Sequence, residues 1–268
     1  MDTIETQRES RIFVVRINRP DALNALDVDS MAALNAAMRE FRDDPDLFVA
    51  IITGTGERAF CTGADLKRTM PAESGFAETY FQPYAHSVDA GLYVRAITLG
   101  ELGIDKPLIA AVNGHALGGG AEIALDCDIR IASTTATFGL PEARWASVPA
   151  VGGVSKLLRA VPRSVAMQLL LTGDRVDATE AHRVGLVSEV VAPQDLMARA
   201  HQIAHRIASN GPLAVRSITT LAHRTEDLPL SRSVELEQLL WGVLRDTRDR
   251  VEGRTAFAER RTPQYQGR

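Results

Sequence analysis

The chain has 268 residues, 45% hydrophobic and 24% charged, a globular balance that leaves little room for disorder or a fibrous repeat. At about 150 residues per domain this is one large domain, or a domain with an appendage. Lys and Arg number 30 against 34 Asp and Glu, a net charge of −4, so no bulk basic field exists to hold nucleic acid or an anionic membrane.

Residues 11–18 (RIFVVRIN) are β-branched and apolar, are closed by Pro20, and predict a strand. Asp27 is a candidate cap for a helix whose Met31, Leu34, Met38 and Phe41 recur on one face. The run 47–53 (LFVAIIT) ends at Gly54 and Gly56 and suits a strand buried on both faces. Runs 107–113 (PLIAAVN) and 128–133 (DIRIAS) repeat that pattern, with a helical stretch at 121–125 between them. Beyond Gly152 the signals turn helical: 154–161, 164–171 and 177–183, where Asp177 and Glu180 have capping-box spacing. A strand is expected at 186–191, a helix start at Pro193, a stop at 210–212 (NGP), and amphipathic helices to about residue 249. The order implies α/β architecture with internal β-β-α character, a core over 1–195 and a helical region over 196–268, joined at a soft boundary.

Cys61 and Cys127 lack CxxC spacing, so neither a thiol clip nor a zinc ribbon is available, and a reducing compartment is expected. No apolar run reaches the roughly 18 residues of a membrane span, and MDTIETQRES lacks the pattern of a secretory leader. The expectation is a soluble cytoplasmic protein. Among the basic residues only Lys67, Lys106 and Lys156 are lysines, an arginine bias read as genome composition rather than a phosphate-binding surface.

The segment 113–128 (NGHALGGGAEIALDCD) carries most of the chemical information. Gly118, Gly119 and Gly120 expose backbone N–H groups where a helix begins, and the helix dipole favours an anionic oxygen there. Ile123 stands where a dinucleotide fingerprint needs glycine, and no Gly-Lys-Ser/Thr follows, so a phosphate cradle fails. The glycines could equally serve close helix–strand packing. A second turn, 60–67 (FCTGADLK), could supply another exposed amide, with Asp65 as a cap. Two amides are the number an oxyanion hole for a carbonyl or thioester oxygen uses. Glu122, in an apolar context, and Glu142, after Pro141, could divide acid and base roles; by spacing alone they could also be two solvated glutamates.

The strings NRPDALNAL (18–26), FCTGADL (60–66), KPLIAAVNGHALGGGAEIALDCDIRIA (106–132), FGLPEA (138–143), LLLTGDRVDATEAHRVGLVSEVV (169–191) and EGRTAFAERRTPQY (252–265) resemble the crotonase superfamily, specifically the enoyl-CoA hydratases. The resemblance implies a crotonase spiral of β-β-α units with a C-terminal helical region that forms a homotrimer or a dimer of trimers. It implies an acyl-CoA thioester substrate, no cofactor beyond the coenzyme A of that substrate, and no metal, nucleic-acid or membrane partner. By position in the motifs, the amides of Ala64 and Gly119 form the oxyanion hole, and Glu122 and Glu142 are the two hydratase glutamates. Ala22, Leu23, Ala25, Thr62, Gly63, Asp65, Leu66, Gly118, Pro141 and Trp145 are expected to contact substrate. The implied reaction is reversible syn hydration of a trans-2-enoyl-CoA. The helix N-terminus near Glu122 is expected to favour its ionised form. Relatives with an isomerase or a carnitinyl-CoA dehydratase activity are the nearest alternative, and a non-catalytic, RNA-associated relative is the alternative from another class.

The chain departs from the family at Ala150, where the pattern has Pro-Gly-x-Gly-Gly, in the bulk of Trp145, and in a long segment between Leu66 and Lys106 that carries Phe76, Tyr80, Phe81, Tyr84 and Tyr93. His201 and His205 have zinc-pair spacing, but Gln202 stands where a metalloprotease needs Glu. No G-x-S-x-G elbow surrounds Ser155. His115 is expected to make a local hydrogen bond. The arginines of 243–268 read as an ion-paired helix face, with one or two of them as candidates for CoA phosphates.

Overall fold

The computed structural model describes residues 2–69, 81 and 93–268. Strand β1 (Ile4–Glu9) pairs antiparallel with β2 (Ile12–Ile17). Helix α1 (Val28–Asp43) follows and leads into β3 (Val49–Gly54), parallel to β2. Next come β4 (Ala59–Cys61), a short helix α2 (Val94–Ile97), β5 (Leu108–Val112), β6 (His115–Leu117) and α3 (Gly119–Asp126). Then follow β7 (Ile129–Ser133), β8 (Thr137–Gly139), α4 (Gly153–Ala160), α5 (Arg163–Thr172), β9 (Arg175–Asp177), α6 (Ala178–Arg183) and β10 (Glu189–Val191). Helices α7 (Leu196–Ala208), α8 (Pro212–Thr225), α9 (Leu230–Arg245) and α10 (Arg248–Glu259) complete the chain.

The strands form two sheets, ordered β1-β2-β3-β5-β7-β10 and β4-β6-β8-β9. Each of β3, β5 and β7 hands over to a three-residue strand of the second sheet, so the chain climbs as a spiral with one layer per β-β step. The central strands β2, β3 and β5 of the first sheet are apolar on both faces because both faces are covered. Phe13, Val15, Ala50, Ile52 and Ala110 face α1 and the second sheet. Val14, Ile51, Ile109 and Ile131 face α7, which contributes Leu196, Ala200 and Ala204. α7 therefore closes the core from outside the expected 1–195 span.

Where local chemistry was explicit, the expected elements appear. The Asp27 carboxylate accepts the Ser30 N–H at 3.0 Å and caps α1; the Asp177 carboxylate accepts the Glu180 N–H at 2.8 Å and caps α6. The helical signal expected to stop near residue 249 runs on through α10, and the tail returns over it: Asp249, 7% exposed, accepts the amides of Gln266 and Gly267. Among the described residues no helix is long and apolar enough to cross a membrane, and no cluster of His, Cys, Asp and Glu could hold a metal.

Candidate active site

Two glycine turns meet where α3 begins. Leu26 bridges Ala64 in parallel register, its N–H donating to the Gly63 carbonyl and its carbonyl accepting from the Asp65 N–H, both at 2.8 Å. The neighbours of Ala64 supply those bonds, so its own amide faces the other side. Gly119 opens α3, where helix geometry leaves the first amides without an intrahelical acceptor. Gly63 has φ +85°, and a Cβ there would lie 2.8 Å from the Gly119 nitrogen. Only glycine allows the two amides to share one space.

That space is a cavity of about 220 Å³. Of the expected residues, Thr62, Gly63, Ala64, Leu66, Gly118, Gly119, Glu122, Pro141, Glu142 and Trp145 line it. Ala22, Leu23, Ala25 and Asp65 are not among its lining residues. Leu23 instead accepts the Thr62 hydroxyl at 3.2 Å through its carbonyl. Asp65 binds Arg19, which also reaches Asp27, so this arginine ties the cap of α1 to the amide-bearing turn. Of the aromatics between 66 and 106, Tyr93 lines the cavity and Phe81 is exposed; Phe76, Tyr80 and Tyr84 lie outside the described residues.

Glu122 is 3% exposed on the first turn of α3. Its Oε1 accepts the Val151 N–H at 2.9 Å and the Gly153 N–H at 2.8 Å. Burial pushes its carboxyl above the ordinary range, while those two amides and the Lys156 ammonium pull it back. Loss of water is thus the largest influence on this carboxyl, ahead of the two amides and the ammonium. Glu142 stands on the 3-10 turn Pro141–Trp145, its Oε1 3.1 Å from where a Cβ of Gly118 would be. Its Oε2 is buried and has no hydrogen-bond partner among the described residues. Burial, with a smaller contribution from the negative charge of Glu122, pushes its carboxyl up to about 7. Two neighbouring carboxyls, one held by two amides and the other without a partner among the described residues, have the asymmetry that a base and an acid require.

Sequence reasoning missed Val151, Gly153 and Ile97. The first two act through backbone amides and leave no side-chain signature beyond the Gly152-Gly153 pair. Ile97 lines the cavity from α2, its side chain 3.2 Å from where a Cβ of Gly119 would stand. His115 makes its local hydrogen bond, to the Thr137 hydroxyl at 2.8 Å.

A model of the enoyl-CoA hydratase/isomerase family matches residues 7–268. The chain belongs to that family. It is 46% identical to the (E)-benzylidenesuccinyl-CoA hydratase of Thauera aromatica over 96% of both chains. It is 39% identical to the crotonyl-CoA hydratase of Syntrophomonas wolfei over 98% of both. Among solved structures, an enoyl-CoA hydratase from Bacillus anthracis superposes with a TM-score of 0.90 at 34% identity, each chain covered in full. This enoyl-CoA hydratase/isomerase family member is thus an enzyme with the crotonase fold. The family implies an acyl-CoA thioester substrate.

Proposed function

We propose that the enzyme hydrates a trans-2-enoyl-CoA to a 3-hydroxyacyl-CoA, reversibly and with no cofactor beyond the substrate's own coenzyme A. The observation that carries this reading is the pair Glu122 and Glu142 lining one cavity with the amides of Ala64 and Gly119. Glu122, ionised, takes a proton from water as the water oxygen bonds to C3. The C2–C3 electron pair moves toward the thioester oxygen, which the two amides hold. Glu142 then gives its proton to C2. The enolate-like oxygen is where charge develops, so the amides bind the transition state more strongly than the substrate. Loss of one such donor costs about 10²–10³ in rate, or roughly 3–4 kcal/mol.

The acyl end is bounded by Leu66, Tyr93, Val94, Ile97, Trp145 and Val148, apolar and aromatic surfaces that favour a bulky acyl group over a butenoyl one. The similarity to a benzylidenesuccinyl-CoA hydratase supports an aryl-bearing substrate. We also assign the C-terminal helices to self-association as a trimer or a dimer of trimers.

The test is a panel of enoyl-CoA esters, from butenoyl to hexadecenoyl with aryl-substituted members, followed by loss of the conjugated absorbance and by detection of 3-hydroxyacyl-CoA. Hydroxylated product, formed fastest from bulky or aryl esters, is the expected result. Double-bond migration without hydroxylated product would overturn the assignment in favour of isomerisation.

A further inference from the structure

Behind Glu122 a pair formed by a buried aspartate and a half-buried lysine bears on the same carboxylate. Asp126 lies one turn along α3 from Glu122, so the two acidic side chains rise from one helix face. The Asp126 side chain is 2% exposed and pairs with the Lys156 ammonium. Its Oδ2 also accepts the Leu99 N–H at 2.8 Å, two residues beyond Ile97 of the cavity wall. Lys156 lies in the first turn of α4, three residues after Gly153, and its N–H donates to the Gly152 carbonyl at 2.8 Å. Its stem passes over the same loop, Cε 3.0 Å from where a Cβ of Gly152 would be. The pair therefore clips together three segments around the site: the far end of the helix bearing Glu122, the loop whose amides bind it, and the strip after α2.

A buried ion pair with a single structural purpose is weak evidence of stability, because its desolvation offsets its attraction. Here the cation also faces a third charge. Burial opposes ionisation of Glu122, and the Lys156 ammonium favours it. Glu142, from the turn Pro141–Trp145, is the other titratable neighbour, and the charge of Glu122 helps to hold its proton. On its outer side Lys156 faces Glu226 at the end of α8, and His223 of α8 feels its charge. Arg159, one turn along α4, is engaged by Glu226 at 3.3 Å and Asp227 at 2.7 Å.

We propose that Lys156, anchored by Asp126, is a positioning residue that keeps Glu122 ionised and bound to the Val151–Gly153 loop. The proposal rests on the reading of Glu122 as the base of hydration. Its sign is definite. Removing the ammonium makes ionised Glu122 harder to hold, so the carboxyl titrates at higher pH and activity on the acid side is lost sooner.

The experiment compares wild type, Lys156→Gln, Lys156→Arg and the double variant Lys156→Met with Asp126→Asn, in which no buried carboxylate is left without a partner. Two readouts are taken: the pH profile of kcat/KM for hydration, and the Glu122 carboxyl band in isotope-edited infrared titration, assigned by its loss in Glu122→Gln. Lys156→Gln is expected to move the acid limb and the infrared midpoint upward together by about one pH unit, which is about tenfold in rate on the acid side, and the double variant is expected to move both upward by less, because it also removes the Asp126 charge one turn from Glu122. KM should stay within about twofold, since the pair lies behind the carboxylate, and Lys156→Arg should bring both midpoints back. An infrared midpoint that stays in place in folded Lys156→Gln, or that fails to rise in the double variant where Lys156→Gln does not fold, overturns the proposal. The infrared titration needs no turnover, so it decides the role of Lys156 even if no ester is hydrated, an outcome that would overturn the function reading alone.

Discussion

Glu122 and Glu142 share a cavity and a chemistry but not an environment, and the difference between them is one of partners. Glu122 has two amides on one oxygen; Glu142 has a buried oxygen with none among the described residues. With its carboxyl near 7, Glu142 is the proton donor of the proposed hydration, so kcat/KM should fall as pH rises through about 7. Glu142→Gln should remove that basic limb and lower turnover by about 10²–10⁴, with CoA-ester binding retained. A basic limb that persists in Glu142→Gln would show that another group supplies the proton. The same raised carboxyl has a stability consequence. A group whose folded value lies above its unfolded one stabilises the fold below the unfolded value, and that contribution is lost as pH rises through the folded value. Above pH 7 the native state thus carries a costly buried charge. Glu142→Gln should melt a few degrees higher than wild type at pH 8 and no higher at pH 4, as read by calorimetry.

At the scale of elements, the site depends on how closely α3 lies against β4. A Cβ on Gly120 would overlap the Cys61 carbonyl and come within 2.9 Å of the Cys61 Cβ, so the first turn of α3 rests directly on the strand. Gly120→Ala should therefore lift α3, costing about 1–3 kcal/mol and roughly 5 °C in melting temperature, and move Glu122 off its loop. Unchanged melting and turnover would show that the helix can rise without cost. This contact also marks the limit of what the sequence discloses. Strands β2, β3 and β5 of the first sheet were legible because burial on both faces leaves an apolar run bounded by turns, and α1 and α6 were legible through their caps. β1 (Ile4–Glu9) was not, because an edge strand with only its first residue buried has no pattern to show. The second sheet was missed altogether: β4, β6, β8 and β9 have three residues each, too few for periodicity. Its glycine turns were visible, and so the two turns that meet at the cavity were found by chemistry while the strands that carry them were not. The partners of Glu122 stayed hidden for a related reason, since a backbone amide looks the same in every residue.

Considered whole, the molecule has apolar surface in a place that a lone copy cannot use. Of the sixteen residues of α9, only Ser233 is buried, although the helix carries Leu230, Val234, Leu236, Leu239, Trp241 and Val243. Trp241 is 59% exposed and Phe257 on α10 is 87% exposed. A helix with apolar residues on most of its circumference is stable only where something covers them. The loop-side groove of about 290 Å³ beside Trp241, between Gly211 and Tyr265, gives that surface relief as well as area. A net charge of −4 per chain is small enough that copies can meet without strong mutual repulsion. The enzyme should therefore sediment as a multiple of 29.1 kDa, three copies or six, at micromolar concentration. Leu239→Glu with Trp241→Glu should shift it toward the monomer, because a charge placed in a closed apolar interface must either stay in water or be buried unpaired. Wild-type protein that sediments as a monomer, or a double variant that keeps its mass, would require another occupant for α9.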